Sequence, residues 1–122
     1  MLSISVYKFI HIAGVLMILF SLGGVVMHVA NGGSRDYAFR KVVALTHGIG
    51  MLLVLVAGFG MLARLGIHWP WPGWITVKLL LWLVFGAALG LIYRFAHHAR
   101  LLWWILLVLG FLAAYMAIFK PF

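Results

Sequence analysis

Four ionisable side chains lie inside long apolar stretches of this sequence, where charged and polar residues are rare. They are His11, His28, His47 and Lys78, and three further histidines, His68, His97 and His98, lie at the boundaries of such stretches. An ionisable group inside a lipid bilayer costs free energy, so each of these residues is a candidate functional residue. A neutral imidazole can bind haem iron or copper, relay protons, or donate to a backbone carbonyl in a packed core. These interpretations of the histidines stay open at the level of sequence.

Lys78 is a cation in a chain that holds nine Lys and Arg residues but a single acid, Asp36. An ammonium group in an apolar environment needs a negative partner. The sequence therefore predicts that the negative charge comes from one of three sources. These are an anionic ligand group such as a haem propionate, a lipid headgroup, or a neighbouring subunit. In the lipid case, the long side chain of Lys78 extends to the membrane surface.

The positions of these residues along their apolar stretches predict two layers. With about 1.5 Å of rise per helical residue, His11 lies about 9 Å into the first stretch and Lys78 about 6 Å into the third. Because the first and third stretches enter from the same side, we expect His11 and Lys78 at nearly one level. His28 and His47, with His97 as a third candidate, are expected to form a second layer towards the other side.

The composition assigns these residues to a membrane protein. Hydrophobic residues make up 67% of the 122 residues, charged residues only 8%, and the mean hydropathy is +1.22. A soluble domain typically carries about a quarter charged residues, because its surface faces water. In a membrane protein, an excess of basic over acidic residues is expected, because Lys and Arg gather in short cytoplasmic loops that meet anionic lipid headgroups. The charge of this chain therefore predicts no nucleic-acid partner.

Four apolar stretches are long enough to cross a bilayer, which takes about 20 residues each. We place them near 5–30, 41–65, 74–95 and 101–119, separated by turn-forming, Pro-containing and basic segments. Backbone polar groups in lipid must be satisfied internally, so these stretches should be helices. The sequence predicts an all-α fold, an integral membrane four-helix bundle that forms a single transmembrane domain over 1–122.

Basic residues are distributed unevenly between the two sides of the predicted bundle. The first and third connections hold Arg35, Arg40, Lys41, Arg94 and Arg100, whereas the other side holds Lys8, Arg64 and Lys120. The positive-inside rule then predicts that the first and third connections are cytoplasmic. Both termini would be periplasmic in a multi-pass protein of the bacterial inner membrane.

Several function classes lack their required residues. The chain has no cysteine, which excludes thiolate catalysis and thiolate metal sites. Asp36 is in a connection rather than a span, so carboxylate-driven export, as in small multidrug exporters, and acid-containing catalytic triads are not expected. The methionines are scattered and do not predict a copper path. An enzyme of this composition would depend on a bound cofactor.

Three short motifs resemble those of a group of small bacterial membrane proteins. They are Lys8-Phe-Ile-His11, the segment from Leu45-Thr-His47 to Gly58, and Trp74-Ile-Thr-Val-Lys78. Over roughly residues 7–95 the chain resembles SirB-type proteins and the related HemJ-type protoporphyrinogen oxidases and CopD-like domains. The HemJ-type resemblance implies haem b ligated by His11, with Lys78 as its functional partner. The SirB-type resemblance adds the histidine of the second span, His47.

Two hypotheses of different classes follow. In the first, the protein binds haem b within the bundle and has a redox or haem-handling role. His11 is then the axial ligand, His47 a second ligand or relay, and Lys78 the partner of a propionate. In the second, the chain is a non-catalytic accessory subunit of a larger membrane complex, or it forms a homo-oligomer. Whether the chain is an enzyme is left open.

Overall fold

The computed structural model describes residues 2–122, and within that range it contains four α-helices and no strand. The helices are α1 (Ile4–Ala30), α2 (Arg40–Leu65), α3 (Gly73–Arg94) and α4 (Ala99–Phe119), with a short 3-10 helix at Ala96–His98. The predicted all-α fold is confirmed, and each α-helix begins and ends within two residues of its predicted span. All four are long and apolar enough to cross a membrane, as expected of a multi-pass membrane protein.

Local sequence determines where several of the helices begin and end. The Ser3 hydroxyl accepts a hydrogen bond from the Val6 amide and so caps the first turn of α1. Gly66 ends α2 with φ at 71°, a left-handed conformation that glycine adopts without strain. Pro72 directly precedes α3, where its missing N–H costs no helical hydrogen bond.

α1 is the central helix and contacts the three others. Its most extensive contact is with α2, and the two backbones touch at a pair of glycines, Gly14 and Gly50. A Cβ atom added to either glycine would lie 2.8 Å from the carbonyl oxygen of the other. Only glycine permits helices to approach this closely, so this crossing fixes how α1 and α2 face each other.

The bundle has two different halves. The closed half lies next to the α1–α2 and α3–α4 connections and contains the main apolar core. That core consists of Ile18, Leu22, Val25, Val26, Val29, Met51, Phe85, Ala88, Ile92, Ala99 and Leu106. The cavity half lies towards the start of α1 and the α2–α3 connection. There the four helices leave a cavity between them.

Candidate functional site

The cavity has a volume of about 370 Å³ and is lined by residues of all four helices. Its lining is mostly apolar, and His11 and Lys78 are its ionisable residues within the described part of the chain. The wall contributed by α4 contains only small residues: Gly110, Ala113, Ala114 and Ala117. These residues follow the spacing i, i+3, i+4 and i+7 and therefore share one face of α4. An apolar cavity with a few convergent polar groups is the usual form of a small-molecule site.

His11 projects from α1 and is held by α2. Its Nδ1 atom lies 3.0 Å from the carbonyl oxygen of Val54. A carbonyl oxygen only accepts hydrogen bonds, so Nδ1 of neutral His11 carries the hydrogen and donates it. This tautomer leaves Nε2 with a free lone pair. Metal-binding histidines commonly donate their other ring nitrogen in this way, which fixes the orientation of the ring.

Lys78 lies on α3, one helical turn after Trp74, and both side chains line the cavity. No acidic side chain lies near half-buried Lys78, because the only Asp or Glu of the sequence, Asp36, is in the α1–α2 connection at the opposite end of the bundle. Lys120, at which α4 ends, is a second cation at this end of the bundle, with its ammonium 5.3 Å from the centroid of the Trp74 ring. This end of the bundle is therefore suited to an anionic group.

His47 is not part of the cavity lining. It is buried in the closed half, with 6% of its surface exposed, and its Nε2 atom donates to the carbonyl oxygen of Phe85 at 2.9 Å. One turn further along α2, the carbonyl of Met51 accepts from the indole N–H of Trp82 at 3.0 Å. These two hydrogen bonds connect α2 to α3. The structure thus brings His11 and Lys78 to one cavity and leaves His47 in an interhelical contact.

The remaining histidines lie at the ends of the helices. His28 Nε2 donates to the carbonyl of Ser34 at 2.8 Å, and its ring stacks on Tyr37. The Tyr37 hydroxyl is in turn hydrogen-bonded to that of Tyr93. His28 therefore orders the α1–α2 connection. It is not hydrogen-bonded to His47, with which it was predicted to share a layer.

His97 stacks on the adjacent His98, and His68 is exposed. Within residues 2–122 no three His, Cys, Asp or Glu residues are grouped so that they could hold a metal ion. A metal at the cavity would need most of its ligands from a prosthetic group, as haem iron does.

Two features of the cavity were absent from the sequence-based predictions. The Val54 carbonyl that orients His11 is a backbone atom, so no residue type signals it. The small-residue wall of α4 is visible as Gly110-Phe-Leu-Ala113-Ala114 and Ala117. Its spacing of three and four is a signal that could have identified a flat helix face.

Comparison with known proteins adds no relative from which a function could be inferred. No protein-family model, no curated protein and no solved structure matches the chain. The resemblance to SirB-type and HemJ-type proteins therefore stays a prediction. Conclusions about function depend on the cavity and the residues that line it.

Proposed function

We propose that this protein binds haem b in the cavity of its helix bundle, where His11 would bind the iron and Lys78 would pair with a propionate. One observation carries the proposal. His11, at the wall of an apolar cavity, has its Nδ1 engaged by the Val54 carbonyl at 3.0 Å and keeps Nε2 for a ligand. A neutral imidazole binds iron without adding charge to the membrane interior.

The residues of the cavity are compatible with haem. The small side chains of α4 leave space beside a mostly apolar lining, which suits a flat apolar ring. A volume of about 370 Å³ falls in the range of roughly 300 to 1,000 Å³ that is usual for ligand sites. The charge of Lys78, which has no acidic side chain near it, suits the carboxylate edge of the ring. When bound, haem supplies one-electron chemistry or is itself the cargo.

The protein's own residues then have distinct tasks. Val54 orients the His11 ring through its carbonyl, Lys78 holds an anionic group, and the apolar walls exclude water from the ligand. His47 does not line the cavity, so the proposal assigns the iron to His11 alone among the described histidines. A role in redox transfer or in haem handling is compatible with this arrangement.

We further propose that the protein resides in a bacterial inner membrane with both termini in the periplasm. The support is the excess of Arg and Lys in the first and third connections, which are short and adjacent to helix ends, where the positive-inside rule applies. Reporter fusions that are active only in the periplasm should then be active at either terminus and inactive within residues 31–36. The reverse pattern would overturn this orientation.

Haem binding is tested by absorbance. The protein purified in detergent from haem-replete cells should show a Soret band, and the band should be lost in His11→Ala. His68→Ala is the matched control, because His68 is exposed and outside the cavity lining; it should keep the band. A colourless wild-type preparation that also fails to bind added haem would overturn the proposal.

A further inference from the structure

A second cavity lies at the closed half of the bundle, between the end of α1 and the α3–α4 connection. It has a volume of about 420 Å³, within the range of roughly 300 to 1,000 Å³ that is usual for ligand sites. Apolar side chains of α1 and α4 line it together with imidazole and guanidinium groups. These residues include Val29, Ala30, Leu101, His97, His98 and Arg100. The second cavity therefore combines an apolar lining with several polar groups that can carry positive charge.

The second cavity lies where two membrane-spanning helices end. Val29 and Ala30 are the last residues of α1, and Leu101 belongs to the first turn of α4. Both helices are long and apolar enough to cross a bilayer, so their ends lie near the level of the lipid headgroups. At this level a bound molecule meets the membrane surface with its polar part and the hydrocarbon region with its apolar part.

The α1–α2 connection forms one wall of the second cavity through Gly32 and is held by two hydrogen bonds. His28 Nε2 donates to the Ser34 carbonyl at 2.8 Å, and the hydroxyl of Tyr37 is hydrogen-bonded to that of Tyr93 on α3. A wall that is fixed before binding costs less ordering free energy when a ligand arrives. The second cavity is in this sense a prepared site.

The polar groups of the second cavity can all donate hydrogen bonds to a phosphate. The rings of His97 and His98 stack with their centroids 4.0 Å apart. Among residues 2–122 neither ring forms a hydrogen bond and Arg100 forms no ion pair, so their N–H groups are available to a ligand. A guanidinium binds phosphate oxygens in a bidentate manner, and a neutral imidazole donates one N–H. Asp36 is not part of the lining.

We propose that the second cavity is a binding site for the headgroup of an anionic phospholipid. Arg100, with His97 and His98, holds the phosphate, and Val29 and Leu101 contact the beginning of the acyl chains. Basic pockets between membrane helices are a known form of headgroup site. The lining offers positive charge and no acidic side chain for a choline ammonium, so an anionic lipid is favoured over a zwitterionic one. This inference does not depend on the proposed binding of haem b.

The experiment measures the binding of single lipids to the purified full chain by native mass spectrometry in a non-ionic detergent. Phosphatidylglycerol and phosphatidylcholine with identical acyl chains are titrated separately. The wild type should bind one molecule of phosphatidylglycerol more tightly than phosphatidylcholine. Arg100→Gln should weaken the binding of phosphatidylglycerol about fivefold, the usual contribution of one basic residue to the binding of anionic lipid. Because Arg100 is exposed, the variant should keep the helical content of the wild type.

Two controls separate the second cavity from the overall charge of this surface. Arg40→Gln removes an exposed arginine at the same end of the bundle that does not line the second cavity, and it should bind phosphatidylglycerol as the wild type does. Glycerol 1-phosphate carries the phosphate without acyl chains. It should fail to displace phosphatidylglycerol at equal concentration, because it lacks the contacts with Val29 and Leu101.

Three results would overturn the proposal. If Arg100→Gln binds phosphatidylglycerol as tightly as the wild type does, the second cavity does not hold the phosphate. Equal losses in Arg100→Gln and Arg40→Gln would show that the net charge of the surface attracts the lipid. Displacement by glycerol 1-phosphate at equal concentration would identify a soluble phosphate compound as the ligand. The Soret band of Arg100→Gln should be that of the wild type, so failure here leaves the proposed function unaffected.

Discussion

The two halves of the bundle contain the same kind of hydrogen bond in different surroundings. In the cavity half, His11 of α1 donates to the Val54 carbonyl of α2 at 3.0 Å. In the closed half, His47 of α2 donates to the Phe85 carbonyl of α3 at 2.9 Å. Each histidine therefore links two helices through a backbone acceptor. The difference is that His47 is buried, whereas half-buried His11 borders a cavity.

Free volume beside the ring distinguishes the two histidines. In the closed half, Leu22, Val25 and Ile92 are almost completely buried and fill the space between the helices. In the cavity half, α4 provides only glycine and alanine at the corresponding wall. A histidine in a membrane helix is thus a candidate ligand only where the bundle leaves room beside it.

The largest loss of stability is expected where α1 and α2 cross. Gly50→Ala places a methyl group 2.8 Å from the carbonyl oxygen of Gly14, and neither backbone can move without separating the helices. We expect a loss of about 1–3 kcal/mol in the free energy of unfolding, as is usual for overpacking. Circular dichroism in a fixed detergent would measure this loss. Both halves depend on this crossing, so haem binding should weaken as well.

Gly48→Ala is the control for this substitution. Gly48 lies two residues earlier on α2, and nothing lies within 4 Å of the position that its Cβ would occupy. Gly48→Ala raises the helix propensity of α2 as Gly50→Ala does, but the added methyl group does not contact α1. Equal stabilities of the two variants would show that the close approach at Gly14 is not required.

A second pair of variants separates the two halves directly. His47→Ala removes an interhelical hydrogen bond and buried volume, so the free energy of unfolding should fall by about 1–2 kcal/mol. The Soret band should persist, because His47 does not line the cavity. His11→Ala should do the opposite: it should abolish the band and cost less stability, since His11 is only half-buried.

Denaturant titration and absorbance on the same samples would test this pair. Loss of the Soret band in His47→Ala, with stability unchanged, would reverse the assignment of roles. The iron ligand would then lie in the closed half, as the second-span histidine of SirB-type proteins suggests. That result would remove the distinction between the two halves.

The sequence was sufficient to predict the fold. A span of about 20 apolar residues bounded by groups such as Asn31-Gly32-Gly33 is a local property, and an α-helix satisfies all the backbone polar groups of such a span within the span itself. The helix ends are local too, as the left-handed Gly66 after α2 shows. This is why the predicted boundaries and the four helices agree with the structure to within two residues.

The site was harder to predict from the sequence. The levels of His11 and Lys78 follow from helical rise along single helices, and both residues line one cavity. The partners of His47 and Lys120 depend instead on how the helices are rotated against each other. Phe85 accepts through its backbone, and Trp74 meets Lys120 only because the segment that follows α4 lies against the start of α3. Such contacts leave no pattern in residue type or spacing.

The smallest expected effect belongs to Trp82, which connects the two halves. Its indole N–H donates to the Met51 carbonyl at 3.0 Å, while the residue also lines the cavity. Trp82→Phe keeps an aromatic ring and removes the donor. The free energy of unfolding should fall by about 0.6 kcal/mol, the average for such bonds in membrane proteins. The Soret band should remain.

The double variant His47→Ala/Trp82→Phe tests whether the two interhelical hydrogen bonds act as one unit. α2 and α3 make few other contacts, so the first substitution should already loosen the contact that the second removes. The double variant should then lose less stability than the two single variants together, with an interaction energy of about 0.5 kcal/mol or more. Strict additivity would mean that the bonds act independently. Each bond would then add its own share to the contact between α2 and α3, and removing His47 would not loosen the contact that Trp82 makes.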